Sequence, residues 1–92
     1  MTGGDDIDAQ RRRLQFRSWH RGTREIDLIL GRFADHYLCE FTAEQLDRYA
    51  ALLEKSDPDI FDWLTGRSPV PETLDSDVMQ LLKNFRFSDV TP

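Results

Sequence analysis

Cysteine and histidine are nearly missing from this 92-residue chain: Cys39 is the single cysteine, and His20 and His36 are the only histidines. One thiol excludes an intramolecular disulfide and any cysteine-cluster zinc site, and with so few nitrogen and sulfur ligands no metal site is expected. No apolar run approaches the ~20 residues that a membrane-spanning helix needs, and nothing after Met1 resembles the apolar core of a secretory signal. The opening Thr2-Gly3-Gly4-Asp5-Asp6 is polar and acidic, so the expected location is cytoplasmic, with no membrane insertion. A glycine-rich phosphate loop is absent as well, since Gly3-Gly4 stand near the start and Gly22, Gly31 and Gly66 are isolated. No stretch alternates as a half-buried strand would, and there is neither an internal repeat nor a low-complexity tract.

What is present reads as one helical domain. Hydrophobic residues make up 39% and charged residues 32% of the chain, a globular rather than disordered composition. A chain of this size buries only roughly 60–65% of its unfolded surface, so the core is thin and a deep substrate cleft is not expected. The net charge of −5 is spread unevenly. From Arg11 to His36, seven arginines stand against Glu25, Asp27 and Asp35, whereas five basic and eleven acidic residues follow from Tyr37 onward. Such asymmetry concerns partner orientation rather than fold.

The spacing predicts an all-α fold, a compact bundle of five short helices over residues 8–86, between a flexible N-terminal tail (1–7) and a C-terminal tail (87–92). A first helix is expected from Asp8 to Trp19, with Gly22 supplying the break. In the second, Ile26, Ile29, Leu30, Phe33 and Tyr37 form one apolar stripe. Leu28 and Gly31 fall on the other side, where a glycine inside a helix implies a second close contact. Thr42 opens the third helix as a capping box with Gln45, and its stripe is Leu46, Tyr49, Ala50 and Leu53. Asp57-Pro58 is expected to cap a short fourth helix closed by Gly66. The last runs from about Glu72 to Phe85, packing Leu74, Val78, Leu81, Leu82 and Phe85.

Candidates for chemistry are few. Asp57, Asp59 and Asp62 read as a helix start favoured by the macrodipole rather than as a cation site, which needs about 6–8 oxygens from a shaped loop. His36 lies at the edge of the core stripe, and Cys39 is expected to be a small buried hydrophobe. Arg11-Arg12-Arg13, Arg17 and Arg21 with Trp19 could suggest nucleic acid, but the chain as a whole is acidic, so a solvated face explains them and no nucleic-acid partner is expected. The segment from Trp19 to Asp27 is different. Gly22 is expected to be left-handed, with Thr23 capping the second helix and Glu25 and Asp27 favouring its N-terminus. That leaves Arg21 and Arg24 unexplained, Arg24 at the unfavourable end of the helix dipole. Fixed charges of both signs around a glycine turn suit recognition of a polar partner surface. On the residues alone the local-structure and recognition readings are about even.

Here the chain resembles a known family. Arg21-Gly22-x-x-Glu25-x-Asp27 is similar to the RGxxE signature of the SdhE-type succinate dehydrogenase assembly factors, the flavinylation factors of bacteria and mitochondria. Leu28-Ile29-Leu30-Gly31-Arg32-Phe33-Ala34 looks like the alphaproteobacterial and mitochondrial branch. A second hallmark is resembled at Asp57-Pro58-Asp59-Ile60-Phe61-Asp62-Trp63-Leu64, with Ile60 where leucine is commoner. The resemblance covers about residues 11 to 86. It implies a five-helix, non-enzymatic chaperone that binds the flavoprotein subunit of succinate dehydrogenase, or of fumarate reductase where present, and promotes covalent attachment of FAD to it. With no glycine-rich phosphate loop and too little core to enclose a dinucleotide, no FAD is expected to be held stably by the factor itself, and the helical stripes with short connections lead us to expect a monomer. Arg21, Gly22, Glu25 and Asp27 carry over as the partner-binding surface, and Arg24 joins them by position; no residue is expected to be catalytic. The second block is expected to be structural, with Phe61 or Trp63 in the core. The alternative is a non-enzymatic partner of another kind, such as an antitoxin-like protein.

Overall fold

Helix periodicity sets the architecture. The computed structural model describes residues 3–89, with side chains from 7 to 85, and places five α-helices in order: α1 (Gly3–Trp19), α2 (Arg24–Tyr37), α3 (Ala43–Leu53), α4 (Asp57–Thr65) and α5 (Asp77–Asp89). Short 3-10 turns at Leu38–Glu40 and Glu72–Leu74 join α2 to α3 and precede α5. No strand occurs among the described residues, and no helix there is long and apolar enough to cross a membrane.

The apolar stripe of α2 is the centre of the core. Ile26, Ile29, Leu30 and Phe33 are all buried, and burying each such side chain contributes roughly 1.5–3 kcal/mol. The Phe33 ring lies 4.9–5.9 Å, centroid to centroid, from Tyr37, Phe41, Tyr49 and Phe85, so one side chain joins α2 to α3 and α5. From α1, Leu14 and Ser18 reach the same core. The Ser18 hydroxyl donates to the Leu14 carbonyl at 2.7 Å and lies 2.6 Å from the Tyr49 hydroxyl, which reaches the Leu30 carbonyl at 3.4 Å. Burial pushes the Tyr49 phenol above its ordinary value of 10, so it stays neutral and satisfied inside the core.

Gly31 explains the close contact expected on the other side of α2. A Cβ built there would lie 2.3–2.6 Å from the Trp19 indole, whose Nε1 donates to Asp35 at 3.2 Å. Alanine gains about 1 kcal/mol of helix propensity over glycine, but relieving this overlap means displacing a packed ring or shifting the helices, typically about 1–3 kcal/mol. Gly31→Ala is therefore expected to lower the melting midpoint by several degrees and to change tryptophan fluorescence. An unchanged or higher midpoint would show that the indole yields freely.

Several boundaries differ from those expected, each for a physical reason. Helix α1 begins at Gly3 rather than Asp8, so residues 3–7 are helical where a tail was expected. The Thr42–Gln45 capping box is present in both directions, at 3.2 and 3.0 Å, but α4 is capped by Ser56 instead of Asp57, its hydroxyl accepting from the Asp59 N–H at 3.3 Å. The final helix starts at Asp77, not Glu72: Ser76 accepts from the Met79 N–H at 3.4 Å after a separate 3-10 turn. It continues to Asp89, so only residues 90–92 of the expected C-terminal tail lie outside the described part. Met79 joins its core face. Cys39 is exposed rather than buried, since Leu38 and Phe41 on either side of it turn inward. Arg11 is half-buried and donates to the Leu38 and Phe41 carbonyls at 2.8 and 2.9 Å, so it clamps α1 to that turn.

A candidate docking surface built on a pinned turn

The connection from α1 to α2, His20 to Thr23, carries most of the residues singled out above. Gly22 has φ +120°, in the region that favours glycine, so the chain reverses there. Immediately before it, Arg21 faces inward. Its backbone N–H donates to Asp27 Oδ1 at 2.6 Å, tying the turn to the first turn of α2. Its guanidinium donates to Asp57 Oδ1 at 2.9 Å, to the Leu53 carbonyl at 2.6 Å and to the Lys55 carbonyl at 2.5 Å. One side chain thus satisfies carbonyls at the end of α3 and a carboxylate at the start of α4. The Arg21 and Asp57 side chains are only 12% and 13% exposed, far from the condition of a solvated surface pair. The second Asp57 oxygen accepts from the Thr23 hydroxyl at 3.1 Å. Thr23 is at the N-cap position of α2, but its hydroxyl goes to Asp57 and makes no capping bond.

The turn is therefore fixed from below, and its outer side is free. Gly22, Thr23, Arg24 and Glu25 are exposed, and neither Arg24 nor Glu25 has an ion-pair partner among the described residues. Between the turn and α4 lies an open groove of about 230 Å³ lined by Thr23, Glu25, Ile26, Asp57, Pro58 and Phe61. Of the five residues expected on a partner-facing surface, Gly22, Arg24 and Glu25 point outward, while the Arg21 and Asp27 side chains support them from behind. Thr23, Asp57, Pro58 and Phe61 were not expected in this surface. The signal that could have found them is the unexplained Arg21: a cation beside a helix N-terminus needs an anion, and the second block supplies one. Phe61 is half-buried at the groove, whereas Trp63 is buried in the core with Ile60 and Leu64.

Chemically, the surface offers an exposed carboxylate, an exposed guanidinium and an apolar recess on a rigid support, the equipment of a protein that docks on another. The fold defines a small all-helical protein with a candidate docking surface at the α1–α2 turn. Residues 12–86 match the family model described as flavinator of succinate dehydrogenase, and the chain belongs to that family. It is 47% identical over 68 residues to "FAD assembly factor SdhE" of Acetobacter pasteurianus, covering 74% of this chain and 62% of that protein. It is 43% identical over 84 residues to "Succinate dehydrogenase assembly factor 2, mitochondrial" of Lodderomyces elongisporus, covering 87% and 51% respectively. The Dictyostelium discoideum protein of the same name is 38% identical over 84 residues, covering 91% and 60%. The matched stretch is thus about half to three-fifths of the length of these curated relatives. Neither the family description nor these names point to the antitoxin-like alternative.

Proposed function

We propose that this protein is an assembly factor that binds the flavoprotein subunit of succinate dehydrogenase and promotes covalent attachment of FAD to a histidine of that subunit. Membership of the flavinator family carries this reading, and the outward-facing Gly22, Arg24 and Glu25 on their pinned turn supply a surface suited to it. The carbon–nitrogen chemistry belongs to the flavin and the flavoprotein; the factor holds the subunit in a conformation competent for attachment. It does so as a monomer in the cytoplasm, without an active site of its own, and it serves fumarate reductase where that enzyme is present. FAD is not held by the factor: the groove of about 230 Å³ and a second recess of about 280 Å³ between α3 and the turn before α5 are both smaller than the ~300–1,000 Å³ typical of small-molecule sites, and the chain has no glycine-rich phosphate loop.

Deletion of the gene followed by in-gel fluorescence for covalent flavin tests the proposal. The flavoprotein subunit should lose its fluorescence, and the wild-type gene should restore it. Glu25→Ala should not restore it, although an exposed charge near a helix N-terminus is worth only about 0.3–1 kcal/mol, so the melting midpoint should stay within a few degrees of wild type. Full covalent flavin in the deletion strain would refute the function. Full rescue by Glu25→Ala would reduce Glu25 to a helix-end charge.

A further inference from the structure

We infer that the groove between the glycine turn and α4 receives a large apolar side chain of the flavoprotein that is carried next to a lysine or arginine. This inference rests on the function proposed above and names the chemistry of its contact.

Two kinds of surface meet in the groove. Its floor is apolar, made by Ile26, Pro58 and Phe61. Phe61 packs against the edge of the core but, unlike the buried Ile60, Trp63 and Leu64 of the same helix, keeps a half-exposed face beside the recess. The rim is charged, but its two carboxylates are not equivalent. Asp57 is only 13% exposed and already accepts from Arg21 on one oxygen and from Thr23 on the other, so it is less available to a partner than Glu25. Glu25 is exposed and has no ion-pair partner among the described residues. Arg24 is its neighbour in sequence, but adjacent helical positions point about 100° apart, and Arg24 does not line the groove. The occupant is thereby specified in two parts: an apolar group for the floor and a cation for Glu25. The groove walls come from two segments held together by the Arg21–Asp57 pair, so little ordering is needed when the partner arrives. A recess of about 230 Å³ suits a side chain better than a dinucleotide.

Photo-crosslinking to the purified flavoprotein subunit tests this, with p-benzoylphenylalanine in place of Phe61. The crosslinked peptide is expected to contain a large apolar residue within two positions of lysine or arginine. In titrations with the same subunit, Phe61→Ala and Glu25→Gln should each weaken binding about tenfold, as expected for anchors of an interface. Glu25→Gln should also flatten the dependence of affinity on salt. Co-elution of the complex with no crosslink from position 61, or with a crosslink to a segment lacking the apolar–cation pair, overturns the inference and leaves the proposed function standing. Failure of the wild-type protein to bind the subunit at all sinks both. Should Phe61→Ala prove unfolded, the crosslink and Glu25→Gln still decide.

Discussion

Gly22→Arg is expected to abolish binding to the flavoprotein and, with it, covalent flavinylation. Backbone conformation and surface shape act together. At φ +120° a residue with a Cβ is strained by about 1–2 kcal/mol, enough to lower the midpoint of a domain this size by roughly 5–15 °C. The Cβ itself has room, since it would sit 3.9 Å from Asp57 Oδ2, an ordinary contact. The rest of the side chain is the problem. A second guanidinium at this position is within reach of the carboxylate that holds Arg21, and its bulk would stand on the outer side of the turn, the proposed docking surface. Gly22→Ala separates the two effects, because it carries the same strain without the bulk or the charge. It should lose comparable stability yet retain most of the binding. If Gly22→Arg binds as well as wild type, the turn is not the docking surface.

The largest stability effect is expected at Arg21. Removing one partner from a fully buried ion pair typically costs about 3–5 kcal/mol, and the Arg21–Asp57 pair, at 12% and 13% exposure, should approach the lower end of that range because the remaining charge is only partly rehydrated. Here the guanidinium also donates to the carbonyl of Leu53, the last residue of α3, and to that of Lys55 just beyond it. Arg21→Ala should therefore lower the melting midpoint by roughly 15–30 °C, a large share of the ~5–15 kcal/mol that stabilises a typical domain. Asp57→Ala should act similarly, and the double variant should lose much less than the sum of the two single losses, since no orphan charge remains. Thermal unfolding followed by circular dichroism measures all three. A normal melt for Arg21→Ala with binding lost would mean that Arg21 meets the partner directly and does not brace the turn.

Local signals in the sequence were sufficient for the helices and for much of their punctuation. A stripe at i, i+3, i+4 and i+7 admits one buried face, which is why Ile26 to Phe33 could be placed in the core before any packing was known. Thr42 with Gln45 is a reciprocal bond within four residues, and Gly66, expected to close the fourth helix, does so at φ +80°. Gly31 was readable as a close contact, though not which ring approaches it. That ring belongs to Trp19, on the preceding helix.

The site was legible in part, and the division follows sequence distance. The composition and spacing alone determined an all-helical chain with a glycine turn at residue 22, and charges of both signs around it. They could not tell which of those charges face a partner. Arg21 was expected on the partner-facing surface because local structure left it unexplained and the resemblance placed it there, and the carboxylate that pairs with its guanidinium lies 36 residues away. Only tertiary packing could bring Asp57 to it, and that one contact settled several others. Asp57 serves this contact as the first residue of α4, with Ser56 capping the helix before it, and the Thr23 hydroxyl is drawn to Asp57 and away from capping α2. The same packing turned Trp63 inward and left Phe61 beside the groove, a choice that neighbouring aromatic residues on one short helix do not make by themselves. Helix formation depends on interactions over three or four residues and is written along the chain. An ion pair between distant segments exists only once the helices have packed, and the tertiary structure alone decided it.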